Sequence, residues 1–131
     1  MRKFGIGLIL VLAGCTGDEG VRAFGAADMA WNLKSIDGTA FDARATLEFP
    51  EAGQATGMGP CNRWSASQSA PYPWFKLGPI RSTRRACPDM DAEQRFFMAL
   101  GDMTISEVSG NVLVLSNDAG REMIFQGKAV E

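Results

Sequence analysis

The sequence predicts an α+β domain built mainly from antiparallel strands. About eight short segments either alternate apolar and polar residues or are bounded by turn residues, and only one segment has a helical apolar period. Strands and helices do not alternate as they do around a parallel sheet. The chain has 131 residues, which is the size of one small domain with modest burial.

Several extended segments are predicted before the helix. They are residues 31–36, 45–49, 55–58, 62–69, 74–77 and 80–83. The first alternates apolar and polar residues and ends at a turn formed by Asp37 and Gly38. Pro50 ends the second segment. Pro79 cannot donate a hydrogen bond within a sheet, so it must lie at a sheet edge, a bulge or a turn.

A single helix is predicted at about residues 91–101. Phe96, Leu100 and Met103 have the i, i+4, i+7 spacing of one helical face, and Gly101 marks the end. A meander of short strands then completes the chain. Its strands are residues 104–108, 112–115 and 121–125.

The N-terminus resembles a bacterial lipoprotein signal peptide. Arg2 and Lys3 precede an apolar stretch, residues 4–12, that is far shorter than the ~20 residues of a spanning helix. Leu-Ala-Gly-Cys at residues 12–15 has the form of the lipoprotein cleavage site. The resemblance implies that residues 1–14 are removed and that Cys15 is lipidated. An ordinary secretory signal peptide is the alternative.

Lipidation of Cys15 would attach the protein stably to a membrane, because several acyl chains share one residue. Thr16, rather than Asp, follows the cysteine, and this favours the outer membrane, facing the periplasm. The composition further predicts a flexible tether at residues 15–28, a folded domain at 29–127 and a short tail at 128–131. The predicted location is therefore the cell envelope, with the membrane as the first partner.

The composition argues against two large classes of function. The net charge is −2 with acidic and basic residues interspersed, so binding to nucleic acid through phosphate neutralisation is not expected. Histidine is absent, which removes the usual general base and the usual zinc ligand. We therefore expect no enzyme, no catalytic residues, no metal site and no cofactor.

Three motifs in this order resemble the META domain of HslJ-type lipoproteins. They are Trp31-x-Leu33-x-Ser35-x-x-Gly38, Gly57-x-Gly59-x-Cys61-Asn62-Arg63-Trp64 and Thr83-x-x-Ala86-Cys87-Pro88. The resemblance covers residues 30–125. It implies a strongly curved sheet or partly open antiparallel β-barrel with one helix packed across it. It also implies relatives linked to heat shock, motility, drug tolerance or virulence, and no established reaction.

The chain departs from the family pattern at two positions. Pro60 stands where the family commonly has Gly, and Arg85 stands where it commonly has Met. These departures put the turn into Cys61 and the packing near Cys87 in doubt. The overall order of the motifs is not disturbed.

Cys61 and Cys87 are predicted to form a disulfide. An even pair of cysteines in an oxidising compartment favours a bridge, and closing this loop would stabilise the fold by about 3–4 kcal/mol. Two alternatives stay open at this point. The pair could serve a redox or metal site, or remain two reduced, buried thiols.

Four residues are candidate contacts for a ligand or partner: Trp64, Trp74, Arg81 and Arg85. Strand alternation places Arg81 and Arg85 on one face and Arg84 on the other. This split favours a solvated sheet edge over a contact with an anionic lipid or lipopolysaccharide. Residues 71–74 (Pro-Tyr-Pro-Trp) form a stiff loop, which favours a lid over one end of the sheet, with a partner-contact ridge as the alternative.

The sequence therefore favours a lipid-anchored envelope protein with a non-enzymatic META-like binding domain, linked to stress tolerance through the resemblance. The expected ligand is another envelope protein, or a lipid held in the open end of the curved sheet. The alternative is a stress or assembly factor that makes chaperone-like protein contacts without a fixed ligand. Exposed aromatic side chains in residues 64–75 would favour that alternative.

Overall fold

The computed structural model describes residues 17–130, so the predicted signal peptide and Cys15 lie outside the described residues. Within this range the protein has nine strands and one α-helix, and the predicted mainly antiparallel α+β class is confirmed. The strands are β1 (Met29–Ile36), β2 (Thr39–Ala40), β3 (Thr46–Leu47), β4 (Gln54–Met58), β5 (Arg63–Ser67), β6 (Arg81–Ser82), β7 (Ile105–Ser109), β8 (Val112–Ser116) and β9 (Glu122–Ala129). The helix α1 spans Met90–Asp102, and a 3-10 helix spans Val21–Phe24.

The strands form two antiparallel sheets. The larger has the order β2-β1-β9-β8-β7, with β3 also paired to β1, and the smaller has the order β4-β5-β6. A bridge between Glu48 and Thr56 continues the pairing from β3 to β4. The strands of residues 17–130 do not close into a barrel, which agrees with the prediction of a curved sheet or a partly open barrel.

Large apolar side chains fill the space between the sheets and the helix. Trp31, Trp64 and Phe96 are among the fully buried ones, and the rings of Trp64 and Phe96 make an edge contact with centroids 6.0 Å apart. Trp31 lies opposite Gly127 on β9. A Cβ at Gly127 would lie 2.7 Å from the Trp31 ring, so only glycine fits there.

The segment before β1 is folded, whereas its composition predicts a flexible tether. Val21 and Ala26 are completely buried, and the Arg22 guanidinium donates to the Phe49 carbonyl at 2.9 Å. The Trp31 indole donates to the Ala26 carbonyl at 3.0 Å. A single buried valine among small residues gives no apolar period, which is why the sequence pattern missed this packing.

Several element boundaries also differ from the prediction. The β9 strand runs through Ala129, so the first two residues of the predicted tail belong to the sheet. Residues 74–77 are a loop, held by bridges from Trp74 to Ile105 and from Gln68 to Leu77. In residues 17–130, no helix is both long and apolar enough to cross a bilayer.

Candidate functional site

The predicted disulfide between Cys61 and Cys87 is present, with the two Cα atoms 5.7 Å apart. It joins the turn between β4 and β5 to the segment just before α1. Both sulfurs are used in this bridge, so neither is a free thiol for redox chemistry or metal binding. The bridge brings the second and third sequence motifs together in space.

Asn62, next to the disulfide, connects three parts of the chain through its side chain. Its Oδ1 accepts from the Thr83 hydroxyl at 2.9 Å and from the Arg85 backbone N–H at 2.6 Å. Its Nδ2 donates to the Arg85 carbonyl at 3.0 Å and to Glu93 Oε2 at 2.7 Å. The Asn62 side chain therefore ties the turn before β5 to the segment after β6 and to α1.

Glu93 accepts hydrogen bonds at the centre of this arrangement. It is a charged residue that is buried, with only 4% of its surface exposed. Its Oε1 accepts from the backbone N–H groups of Cys61 and Asn62 at 3.0 and 2.7 Å, and its Oε2 accepts from the Asn62 amide. Its place in the first turn of α1 also suits the helix dipole. We refer to Asn62, Thr83, the backbone of Arg85, Glu93 and the disulfide as the Asn62–Glu93 network.

Two motif glycines make room for the network and its surroundings. A Cβ at Gly59 would lie 2.6 Å from Glu93 Oε1, and a Cβ at Gly57 would lie 2.7 Å from the Trp64 indole nitrogen. The Gly59 N–H also donates to the Asn62 carbonyl at 2.6 Å, which closes the turn. The two glycines of the second motif are therefore needed because the Glu93 and Trp64 side chains lie close to the backbone at these positions.

The buried polar groups are all used within the fold. Among residues 17–130, every buried side-chain nitrogen or oxygen has a hydrogen-bond partner. Gln68 and Ser106, for example, bond to the loop of residues 70–76. A buried group with a partner inside the fold does not need a ligand to satisfy it. Exposed side chains are therefore the better candidates for ligand contacts.

Unpaired positive charge gathers at the free edge of the smaller sheet. We call Arg63, Arg81, Arg84 and Arg85 the arginine edge. All four are exposed, and none forms an ion pair in residues 17–130, where the ion pairs involve Arg22 and Arg121. Because β6 is the last strand of its sheet, the edge faces outward. Charged side chains on such an edge also prevent unwanted strand addition.

Two shallow grooves flank the arginine edge. One, of about 440 Å³, includes Met58, Arg63 and Arg81 in its lining. The other, of about 430 Å³, includes Arg84 and Arg85 together with the apolar side chains Met90 and Phe97. Each groove thus combines apolar surface with guanidinium groups.

The structure separates the four predicted contact residues. Arg81 and Arg85 both lie on the arginine edge, and the segment from residue 81 to 86 is exposed throughout, so strand alternation does not hide Arg84. Trp64 is 1% exposed and belongs to the core, because its ring packs against α1. Trp74 is 57% exposed but lies beside β7. The two tryptophans therefore do not contribute to the arginine edge.

The sequence pattern did not identify Glu93 as a member of the network. One signal was available: Glu93, Phe96 and Leu100 follow the i, i+3, i+7 spacing of one helix face. A carboxylate in register with a buried apolar face must find hydrogen-bond donors there.

A second charged cluster lies where three elements end. Arg121 donates to Asp37 Oδ2 at 2.9 Å and to Asp102 Oδ2 at 2.9 Å. The pKa of Asp37 is lowered, chiefly by the hydrogen bond from the Glu122 backbone N–H and secondly by the hydrogen bond from Arg121. A groove of about 510 Å³ passes beside this cluster, but the charge of Arg121 is already matched by two carboxylates. The arginine edge remains the better candidate for a charged ligand.

Comparison with known proteins agrees with this architecture. The family model of the META domain matches residues 26–130. The chain belongs to the META domain family. The match to the family model begins at the buried Ala26 and ends at the residue after β9. It is therefore longer at both ends than the predicted domain, residues 29–127. No curated protein sequence matches the chain.

Solved structures share the fold at low sequence identity. A protein from Burkholderia xenovorans, solved by NMR, is 24% identical with a TM-score of 0.65, over 79% of this chain and 83% of that one. A DUF4847 family protein from Bacteroides vulgatus, solved by crystallography, is 14% identical with a TM-score of 0.65, over 86% of this chain and all of that one. These similarities concern the fold alone.

Proposed function

We propose that this META domain protein is a lipid-anchored envelope protein that binds a phosphate-bearing amphiphile without catalysis. The observation that carries the proposal is the arginine edge, where four unpaired guanidinium groups lie beside two partly apolar grooves. Guanidinium groups bind phosphate through paired hydrogen bonds. Apolar surface beside them suits the acyl or other apolar part of the same molecule.

The core enclosed by the sheets has no room for this ligand. Trp31, Trp64 and Phe125 fill it and are at most 1% exposed, so a lipid in the open end of the sheet would have to displace the core. A surface site on the arginine edge requires no such rearrangement. We therefore place the proposed ligand outside the sheet, along β6.

The lipid anchor is a separate part of the proposal and rests on the sequence pattern ending at Cys15. Its direct test is the intact mass of the mature protein purified from membranes. We expect the mass of residues 15–131 plus diacylglycerol and a further acyl chain. An unmodified N-terminal cysteine, or cleavage at another residue, would remove this part of the proposal.

Binding at the arginine edge can be tested with lipid A as the probe, by titrating the full-length protein in neutral detergent. We expect the double variant Arg81→Gln/Arg85→Gln to bind at least tenfold more weakly, since each lost charge-assisted contact contributes about 1.5–3 kcal/mol. The matched control is Lys34→Gln/Lys128→Gln, which removes two exposed charges from the larger sheet. Equal losses in both variants would indicate unspecific charge attraction and would overturn the proposal.

The chaperone-like alternative keeps part of its support. It requires exposed aromatic side chains in residues 64–75, where Trp74 is exposed and Tyr72 is half-buried, while Trp64 and Phe75 are each 1% exposed. A link to envelope stress stays within the proposal through the family resemblance. A deletion strain that grows like its parent under heat and membrane-active drugs would remove that link.

A further inference from the structure

A surface made by three aromatic side chains lies outside the two grooves of the arginine edge and has no role in the proposed binding site. The rings of Phe24 and Tyr72 stack with centroids 4.7 Å apart and an interplanar angle of 9°. Phe24 is 53% exposed and Trp74 is 57% exposed. We call Phe24, Tyr72 and Trp74 the aromatic ridge.

The ridge follows the outer edge of the larger sheet. Trp74 bridges to Ile105 at the start of β7, and the Tyr72 hydroxyl accepts from the Val108 N–H at 3.3 Å, further along the same strand. The Ser106 N–H donates to the Pro73 carbonyl at 2.7 Å. These bonds hold the loop rigidly, so the ridge is a fixed surface. The loop therefore lies along the edge strand β7.

The folded chain begins beside this ridge and close to Cys15. The Tyr72 N–H donates to the Glu19 carbonyl at 2.7 Å, and Asp18 is held by the Gly20 N–H at 3.0 Å. Cys15 is three residues before Asp18, so even a fully extended chain keeps it within about 11 Å. A lipid on Cys15 would therefore enter the bilayer next to the aromatic ridge.

We infer that the aromatic ridge rests in the interfacial layer of the bilayer that holds the Cys15 lipid, which orients the domain. This inference depends on the proposed lipidation. Tyrosine and tryptophan suit that layer because each has an apolar ring and a polar group. Glu19 and Glu107 are the exposed acidic residues nearby, and Arg22 is paired with Asp18. The ridge thus fits a neutral bilayer and needs no anionic lipid.

This orientation turns the arginine edge away from the bilayer. Gln68 lies at the end of β5 nearest the start of the folded chain, where a Cβ on Gly20 would be 3.0 Å from its Nε2. Arg63 begins the same strand five residues earlier, about 16 Å away. The proposed ligand would then approach from the aqueous side.

Trp74 is a natural reporter for the experiment, since Trp31 and Trp64 are at most 1% exposed. The full-length lipoprotein would be reconstituted into phosphatidylcholine vesicles with bromine on the acyl chains near the headgroups. We expect most of the Trp74 emission to be quenched. The Trp74→Phe variant supplies the background from the two buried rings, and its emission should be unchanged by bromine.

A second variant tests the role of the short connection. Inserting ten Gly and Ser residues between Thr16 and Gly17 should reduce the quenching severalfold, because the domain could then leave the bilayer. Mass analysis of each sample separates the two proposals. A protein without the lipid refutes the anchor, whereas a lipidated protein with unquenched Trp74 overturns the orientation alone. Equal quenching in the extended variant would refute the role of the short connection.

Discussion

Asn62 and Arg63 are neighbours in the chain, yet they lie in opposite environments. Asn62 is 3% exposed and all its side-chain bonding capacity is used within the fold. Arg63 is exposed and forms no ion pair. One side of this segment is therefore saturated by the protein, and the other can still bind something else.

The same division appears one strand away. The Thr83 hydroxyl donates to Asn62, while Arg84 points outward with no carboxylate partner in residues 17–130. The motif residues of this protein thus hold its fold together, and the arginines between them remain free. Changes in the Asn62–Glu93 network should alter stability, and changes on the arginine edge should alter binding alone.

The largest effect is expected from Glu93→Ala. This variant leaves three buried donors without an acceptor, so the free energy of unfolding should fall by about 3–5 kcal/mol. Chemical denaturation measures the loss, and Glu93→Gln, which keeps one acceptor oxygen, should lose less. The matched control is Asp91→Ala on the exposed side of α1, expected to change stability by less than about 0.5 kcal/mol. Similar losses for both positions would contradict a special role of Glu93.

Removing the disulfide should have the next largest effect. Cys61 and Cys87 are 26 positions apart, and the chain-entropy estimate for such a loop is about 3.5 kcal/mol. The double variant Cys61→Ser/Cys87→Ser should therefore melt at a lower temperature than the oxidised protein. Its melting temperature should not respond to reductant, while that of the parent should. A parent protein indifferent to reductant would refute the stabilising role of the bridge.

Asp37 sharpens the comparison because it is exposed but paired. Its pKa is lowered below the ordinary value of 3.8, chiefly by the Glu122 N–H and then by Arg121. The resulting stabilisation is complete above that ordinary value and is lost as the pH falls through the lower pKa of the folded state. Asp37→Asn should therefore be less stable than the parent at neutral pH. Asparagine suits the positive φ of 51° at this position.

Denaturation of both proteins across a pH series measures this effect. The difference between parent and variant should be constant near neutrality and should shrink as the pH falls below the ordinary pKa of 3.8 and through the lower pKa of the folded state. A difference that persists undiminished in strong acid would mean that the carboxylate charge does not contribute.

The smallest change in stability is expected on the arginine edge. Arg81→Gln/Arg85→Gln removes exposed, unpaired charges, so the free energy of unfolding should change by less than about 0.5 kcal/mol. The same variant is expected to lose lipid A binding. A large loss of stability would show that these arginines stabilise the fold, and would contradict the contrast between the arginine edge and the Asn62–Glu93 network.

Much of the fold could be predicted from the sequence because its signals are local. The alternation in residues 31–36 predicted most of β1 (Met29–Ile36), and the apolar spacing of residues 91–101 predicted α1 within a residue at each end. The resemblance located the second and third motifs, which meet at the disulfide. Short elements such as β6 (Arg81–Ser82) were predicted too long, because their ends depend on partners rather than on pattern.

The site was less predictable because exposure is set by distant residues. Trp64 and Trp74 looked equivalent in sequence, but packing against Phe96 buries the first, and the bridge to Ile105 leaves the second on the surface. The donors to Glu93 come from the turn at Asn62, 31 residues earlier in the chain. Neither outcome can be read from neighbouring residues alone.

Periodicity and residue chemistry are local properties, so the amino-acid order was enough for the antiparallel class, the position of α1 and the cysteines available for a disulfide. The packing of residues 17–28 on the domain, the three hydrogen bonds to Glu93 and the exposure of the arginine edge became known only from the three-dimensional arrangement. Those outcomes depend on which groups meet across the fold. A hydrogen bond or a buried contact requires both partners, and the chain brings them together only when it folds.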